Sequence, residues 1–75
     1  MRIRYDPDAD VLVIMVRPEP PVDSVEEPGG VVVSYGEDGE PVSVEFLHAA
    51  ARNLVQAGGV TITLEGKAMA GAEVG

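Results

Sequence analysis

The chain has no cysteine, which excludes disulfides and thiolate sites. It has one histidine, His48, too few for a conventional zinc site within one chain. Basic residues are scarce: five Lys and Arg stand against 13 Asp and Glu, a formal charge of −8. That sign repels a phosphate backbone and argues against direct nucleic-acid binding, while it suits solubility or a basic protein partner. No apolar run approaches the roughly 18 residues of a membrane helix. The opening MRIRYDPDAD turns acidic where a secretory signal would turn apolar. The expected address is the cytoplasm, with no membrane partner and no cofactor.

Seventy-five residues make one small domain. A domain of this size buries only about 60% of the surface its unfolded chain exposes. Its core rarely supplies more than roughly 3–5 kcal/mol. Disulfides, metals or oligomerisation are the usual supplements. With the first two set aside, a homodimer or larger assembly is expected.

What the chain does have is a turn followed by its most apolar stretch, YDPDADVLVIMV from Tyr5 to Val16. Before it, Met1, Ile3 and Tyr5 alternate with Arg2 and Arg4, the period of a half-buried strand. The two arginines are expected to pair with acids across strands. Asp6-Pro7-Asp8-Ala9 reads as a β-turn, with proline presetting φ and the Asp6 carboxylate accepting backbone N–H groups. Val11–Val16 then reads as a strand apolar on both faces, with Val11, Val13 and Met15 on one and Leu12, Ile14 and Val16 on the other. Such a strand must be covered on both sides. A helix of this chain suits one side, and more chain or a second subunit the other.

Arg17–Gly30 carries four of the six prolines and reads as a connection with a short edge segment at Val22–Val25. Val31–Tyr35 and Pro41–Leu47 form a hairpin around Asp38-Gly39. Leu47–Ala57 places Leu47, Ala50, Ala51, Leu54 and Val55 at helical spacing, predicting a short amphipathic helix ended by Gly58-Gly59. Val60–Glu65 alternates again and predicts a late strand, added at an edge or donated to a partner. The expected architecture is α+β: an antiparallel meander of about four strands with one helix on one face. The domain is expected over residues 1–65, with a flexible tail over 66–75.

Tyr5-Asp6-Pro7-Asp8-Ala9-Asp10, followed by Leu12 and Ile14, resembles the signature of the small bacterial proteins grouped as the domain of unknown function 2283. Pro28-Gly29 and then VVVSYGEDGEPVSVEFLHAA are similar to that family's second region, so the resemblance covers roughly residues 1–52. It implies a small α+β domain, often dimeric, with no established enzymatic activity and no catalytic residues to carry over. Members are sometimes proposed as antitoxin partners of small toxins related to RNA-cleaving toxins. His48 stands where that family commonly has an acid, and the glycine-rich extension from Gly58 is a further departure.

Candidate sites are few. Asp6, Asp8 and Asp10 have the spacing that opens a calcium loop, but the sixth and twelfth positions are Val11 and Arg17 where glycine and glutamate are needed. Turn chemistry is the better reading. In a four-strand meander the first and third connections share one end. Asp6, Asp8 and Asp10 would then join Glu37, Asp38 and Glu40 in an acidic rim, either solvated or a docking surface for a small basic protein. His48 has Glu45 and Ser43 nearby in sequence but no third group for a catalytic triad. Gly29-Gly30 and Gly58-Gly59 match no phosphate-binding pattern. The expected function is a non-enzymatic, dimeric, antitoxin-like interaction module. The alternative is a ligand-binding or enzymatic domain with a site at a dimer interface near Tyr35, His48 and Arg52.

Overall fold

The fold follows from five short extended segments, of which RIRYD and PVSVEFL alternate apolar and polar residues, VLVIM and VVVSY are largely apolar, and DSVEE is mostly polar. In the computed structural model, which describes residues 1–56 and 59–66, these are β1 (Arg2–Asp6), β2 (Val11–Met15), β3 (Asp23–Glu27), β4 (Val31–Tyr35) and β5 (Pro41–Leu47). They form one antiparallel sheet in the order β1-β2-β5-β4-β3. The architecture is therefore all-β among the described residues, and the expected α+β class with a helix on one face is corrected. It is also not a simple meander. β5 inserts beside β2, and the connection between β2 and β3 must pass the ends of β5 and β4.

Crossing from the β2 position to the β3 position means covering three strand spacings, roughly 14 Å. The connection is residues 16–22, and Pro18, Pro20 and Pro21 lie within it. Proline favours an extended backbone at about 3.1 Å per residue, so seven residues suffice. The Val16 N–H donates to the Val42 carbonyl at 2.9 Å, and the Val22 N–H donates to the Tyr35 carbonyl at 2.8 Å. Both ends of the strap are thus held on the sheet.

Opposed residues in an antiparallel ladder project from the same face. The register sets Ile3, Ile14, Val44, Val33 and Val25 in one row across all five strands. This apolar face also carries Tyr5, Leu12, Phe46 and Val31. The opposite face carries Arg2, Arg4, Asp6, Glu45 and Glu26 among Val11, Val13, Met15 and Val32. Arg2 lies opposite Met15 and Arg4 opposite Val13. Among the described residues the ion pairs are those of Arg17, so the expected pairing of Arg2 and Arg4 with acids is not formed. The reason is register: Glu45 lies across Val13 from Arg4, two strand spacings or roughly 10 Å away.

The predicted helix over Leu47–Ala57 is replaced by turns. Leu47 is consumed by β5, where it pairs with Val11. His48 and Asn53 take left-handed backbone conformations, with φ of 55° and 62°, which no right-handed helix accommodates. One N–H to carbonyl link of α-helical spacing remains, Arg52 to His48 at 3.0 Å, beside one of 3₁₀ spacing, Asn53 to Ala50 at 3.0 Å. The segment folds over one end of the apolar face. There Ala49 (0% exposed) and Val55 (8%) form the buried core with Leu12 (7%), flanked by Tyr5 and Phe46. Ala50, Ala51 and Leu54, which the helical pattern would have buried, are exposed. The predicted strand over Val60–Glu65 is absent too: the segment has no strand pairing, and Val60, Ile62 and Leu64 are exposed. Positions 57–58 of the expected helix end and 67–75 of the expected tail lie outside the described residues.

The turn between β4 and β5 keeps its sequence reading. The Gly39 N–H donates to the Gly36 carbonyl at 3.0 Å, and Gly39 sits at φ 81°. This is a tight turn closed by a left-handed residue, the position where a side chain costs most. Gly39→Ala is expected to destabilise by about 1 kcal/mol, and Gly39→Asn by less. Thermal unfolding of the two variants checks the order.

Candidate functional site

The strand directions decide which charged residues meet. β1 and β5 run one way and β2 and β4 the other, so the turn at Pro7–Asp10 and the segment after Leu47 share one end of the sheet. The Gly36–Glu40 turn lies at the opposite end. The six acids do not form one rim. Asp6, Asp8 and Asp10 stand at one end, and Glu37, Asp38 and Glu40 at the other. The expectation of four strands leaves out β3, a full strand, and one added strand moves the later turn to the far end.

Asp6 and Asp10 serve the fold. The Asp6 carboxylate accepts the N–H groups of Asp8 (3.0 Å) and Ala9 (3.3 Å), closing the turn as its composition predicts. Asp10 is half-buried with φ 57°, and its Oδ1 accepts the Tyr5 hydroxyl at 2.7 Å and the Ala50 N–H at 2.8 Å. The Asp10 carbonyl also accepts the Ala49 N–H at 3.1 Å. One residue thus clasps the β1–β2 turn to the segment that caps the core. The Ala50 N–H, then the Tyr5 hydroxyl, hold the Asp10 carboxyl below its usual pKa of 3.8. The same contact with Asp10 raises the Tyr5 hydroxyl above 10.0. Sequence spacing could not have found the clasp, because its partners lie 40 residues apart. Asp8 remains exposed at the tip.

At the far end, Arg17 of the strap bonds Asp38 at 2.9 Å and Glu19 at 3.1 Å. Asp38 Oδ1 also accepts the Glu40 N–H at 3.1 Å. The Arg17 guanidinium, with that backbone donor, lowers the Asp38 pKa, and Asp38 in turn raises that of Arg17. Glu37 and Glu40 are exposed beside this pair. Among the described residues, no group of three or more His, Cys, Asp and Glu is arranged to hold a metal ion.

Tyr35, His48 and Arg52 do not converge within the chain. Tyr35 pairs with Pro41 at one end, while His48 follows Leu47 at the other, seven residues or roughly 20 Å along β5. Arg52 Nη1 instead approaches the carbonyls of Gly30 and Leu47, each at 3.5 Å. Two shallow clefts of about 560 and 550 Å³ lie elsewhere. One sits under the proline strap beside Met15 and Val42, the other on the charged face beside Arg4, Val13 and Glu45. Neither is lined by Tyr35, His48 or Arg52. Among the described residues no helix is long and apolar enough to cross a membrane.

Comparison with known proteins agrees with the Asp-Pro signature and the second hairpin. The family described as "Protein of unknown function (DUF2283)" matches over residues 2–49, 48 of the 75 residues. The match spans all five strands and ends at Ala49, the buried residue of the capping segment. No curated protein and no solved structure matches the chain. The chain belongs to the DUF2283 family, proteins of unknown function.

Proposed function

We propose that the chain is a non-enzymatic, dimeric protein-interaction module of the cytoplasm, antitoxin-like, which binds a small basic protein. The observation that carries this reading is the single-layer sheet. Stable domains pack at least two layers around a core, whereas here the capping segment covers one end of the apolar face, Val42 is buried at the other, and the middle is only partly covered. The row from Ile3 to Val25 runs across the remainder, with Ile3 37% and Val25 41% exposed. A second protein is the natural source of the missing layer. The formal charge of −8 favours a basic partner for the charged surfaces. The two acidic ends, at Asp8 and at Glu37 and Glu40, are the separate places where it would dock.

Co-expression with the small basic product of a neighbouring gene tests the reading. A stable complex is expected, weakened at least tenfold by Asp8→Lys or by Glu37→Lys with Glu40→Lys, and weakened by raising salt past the range where exposed charges act. The absence of such a complex, or a complex indifferent to both reversals and to salt, overturns the basic-partner reading.

A further inference from the structure

The charged face of the sheet carries a pattern that matches its own inverse. One row across it reads Arg4 on β1, Val13 on β2, Glu45 on β5, Val32 on β4 and Glu26 on β3. Val13 lies midway between Arg4 and Glu45, one strand spacing or about 4.8 Å from each. Val11 and Met15 project from the same face on either side of Val13 along β2. These three residues are only half-buried. Together with Arg4 and Glu45 they line the cleft of about 550 Å³ on this face. Among the described residues, neither Arg4 nor Glu45 forms an ion pair. The stripe is thus apolar in the middle, cationic at Arg4 and anionic at Glu45.

That order decides among occupants. A basic protein would set cations against Arg2 and Arg4, and an acidic one would set carboxylates against Glu45; like charges brought together cost affinity. What fits is a surface with an apolar centre and the two signs reversed. A second copy presents one when turned by 180° about an axis that runs along β2, midway between the two sheets. Arg4 then faces Glu45 of the partner subunit, and Glu45 faces Arg4 of the partner subunit, the reciprocity of an isologous contact. Val11, Val13 and Met15 face their own copies between the two pairs. Stacked sheets lie about 10 Å apart, a gap that arginine and glutamate side chains span together. Other axes fail. One along β5 buries Glu45 against Glu45 of the partner subunit, and one across the strands at Val13 sets Arg4 against Arg4 of the partner subunit.

We propose that two copies stack through the charged face, with β2 at the two-fold axis and two reciprocal Arg4–Glu45 pairs flanking Val11, Val13 and Met15. The proposal rests on the dimeric part of the reading above and adds the face and the symmetry. It leaves the opposite, apolar face to the separate partner. Arg4→Glu alone and Glu45→Arg alone are each expected to weaken dimerisation at least tenfold, because each brings like charges together twice. Mixed in equal amounts, the two variants are expected to dimerise again. Position 4 of one then meets position 45 of the other with opposite charge in both pairs, whereas an effect within one chain is not repaired by mixing. Sedimentation reads the outcome: each variant alone shifts toward 7.8 kDa, and the mixture returns to twice that mass with the wild type. Circular dichroism checks that each variant keeps the sheet. Should either fail to fold, Val13→Cys decides, since the chain has no other cysteine. A short bismaleimide is expected to link two copies through position 13, and not through Ile14→Cys, next along β2 on the apolar face. A wild-type dimer that mixing does not restore, or that links through position 14 alone, overturns the face assignment and leaves the dimeric reading standing. A wild type that is monomeric at micromolar concentration overturns both. A position 13 that links only to a co-expressed basic protein gives the face to that protein and overturns the proposal.

Discussion

Leu12→Ala is expected to abolish cooperative folding of the isolated chain. Leu12 is 7% exposed and lies between Tyr5 on β1 and Phe46 on β5, under Ala49 and Val55. Truncating a buried leucine costs about 2–5 kcal/mol, because transfer free energy is lost and the cavity relaxes only in part. A domain of this size has roughly 3–5 kcal/mol from its core in total. The effect is large because the buried core is so small: among the described residues, only Leu12, Val42, Ala49 and Val55 are buried hydrophobics. Urea unfolding followed by circular dichroism checks it. A variant that keeps a sigmoidal transition with a midpoint close to wild type would show that the core does not converge on Leu12.

Removing the Asp10 side chain is the second large effect, and it should depend on pH. Asp10→Gly keeps the left-handed backbone at no steric cost, so it isolates the carboxylate from the turn. The Tyr5 hydroxyl and the Ala50 N–H then lose their acceptor. The capping segment, which brings Ala49 and Val55 onto Leu12, is no longer tied to the β1–β2 turn. A fall in Tm on the order of 5 °C is expected at neutral pH. The Asp10 pKa is lower in the folded chain than its usual 3.8. Its contribution is therefore complete above about pH 4 and is lost as pH falls through the folded value. The gap in Tm between wild type and Asp10→Gly should be constant from pH 7 to pH 5 and close below pH 4. A gap that persists undiminished at pH 2.5 would contradict the clasp.

These two residues also mark where sequence reasoning succeeds and where it stops. The apolar and polar sides of β1 and β5 follow from period-two alternation, whereas β2 is apolar on both faces and only its pairing and burial show that Leu12 turns inward. The role of Asp6 follows from local turn chemistry, since its acceptor reaches N–H groups only two and three residues away. The role of Asp10 does not, because its backbone partner is contributed by Ala50 after the last strand. The acidic rim failed for a related reason. Which end of a sheet a turn occupies depends on how many strands precede it, and DSVEE is polar enough to pass for a loop while pairing along its whole length with β4.

The helix expected over Leu47–Ala57 went wrong through competition. Alanine and leucine at helical spacing are a weak preference over so short a stretch, since helix nucleation is costly and most helical stability comes from packing. Here β5 takes Leu47, and the Asp10 clasp takes the N–H groups of Ala49 and Ala50. Sequence alone determined the strands β1, β2, β4 and β5, the turns at Asp6–Ala9 and Gly36–Glu40, the acidic charge and the family signature. It also showed that Val11–Val16 is too apolar to stand uncovered. Tertiary structure decided strand order, the separation of the acidic ends and the conversion of an apparent helix into a cap. Those outcomes depend on pairing between residues tens of positions apart, and only the folded chain brings such partners together.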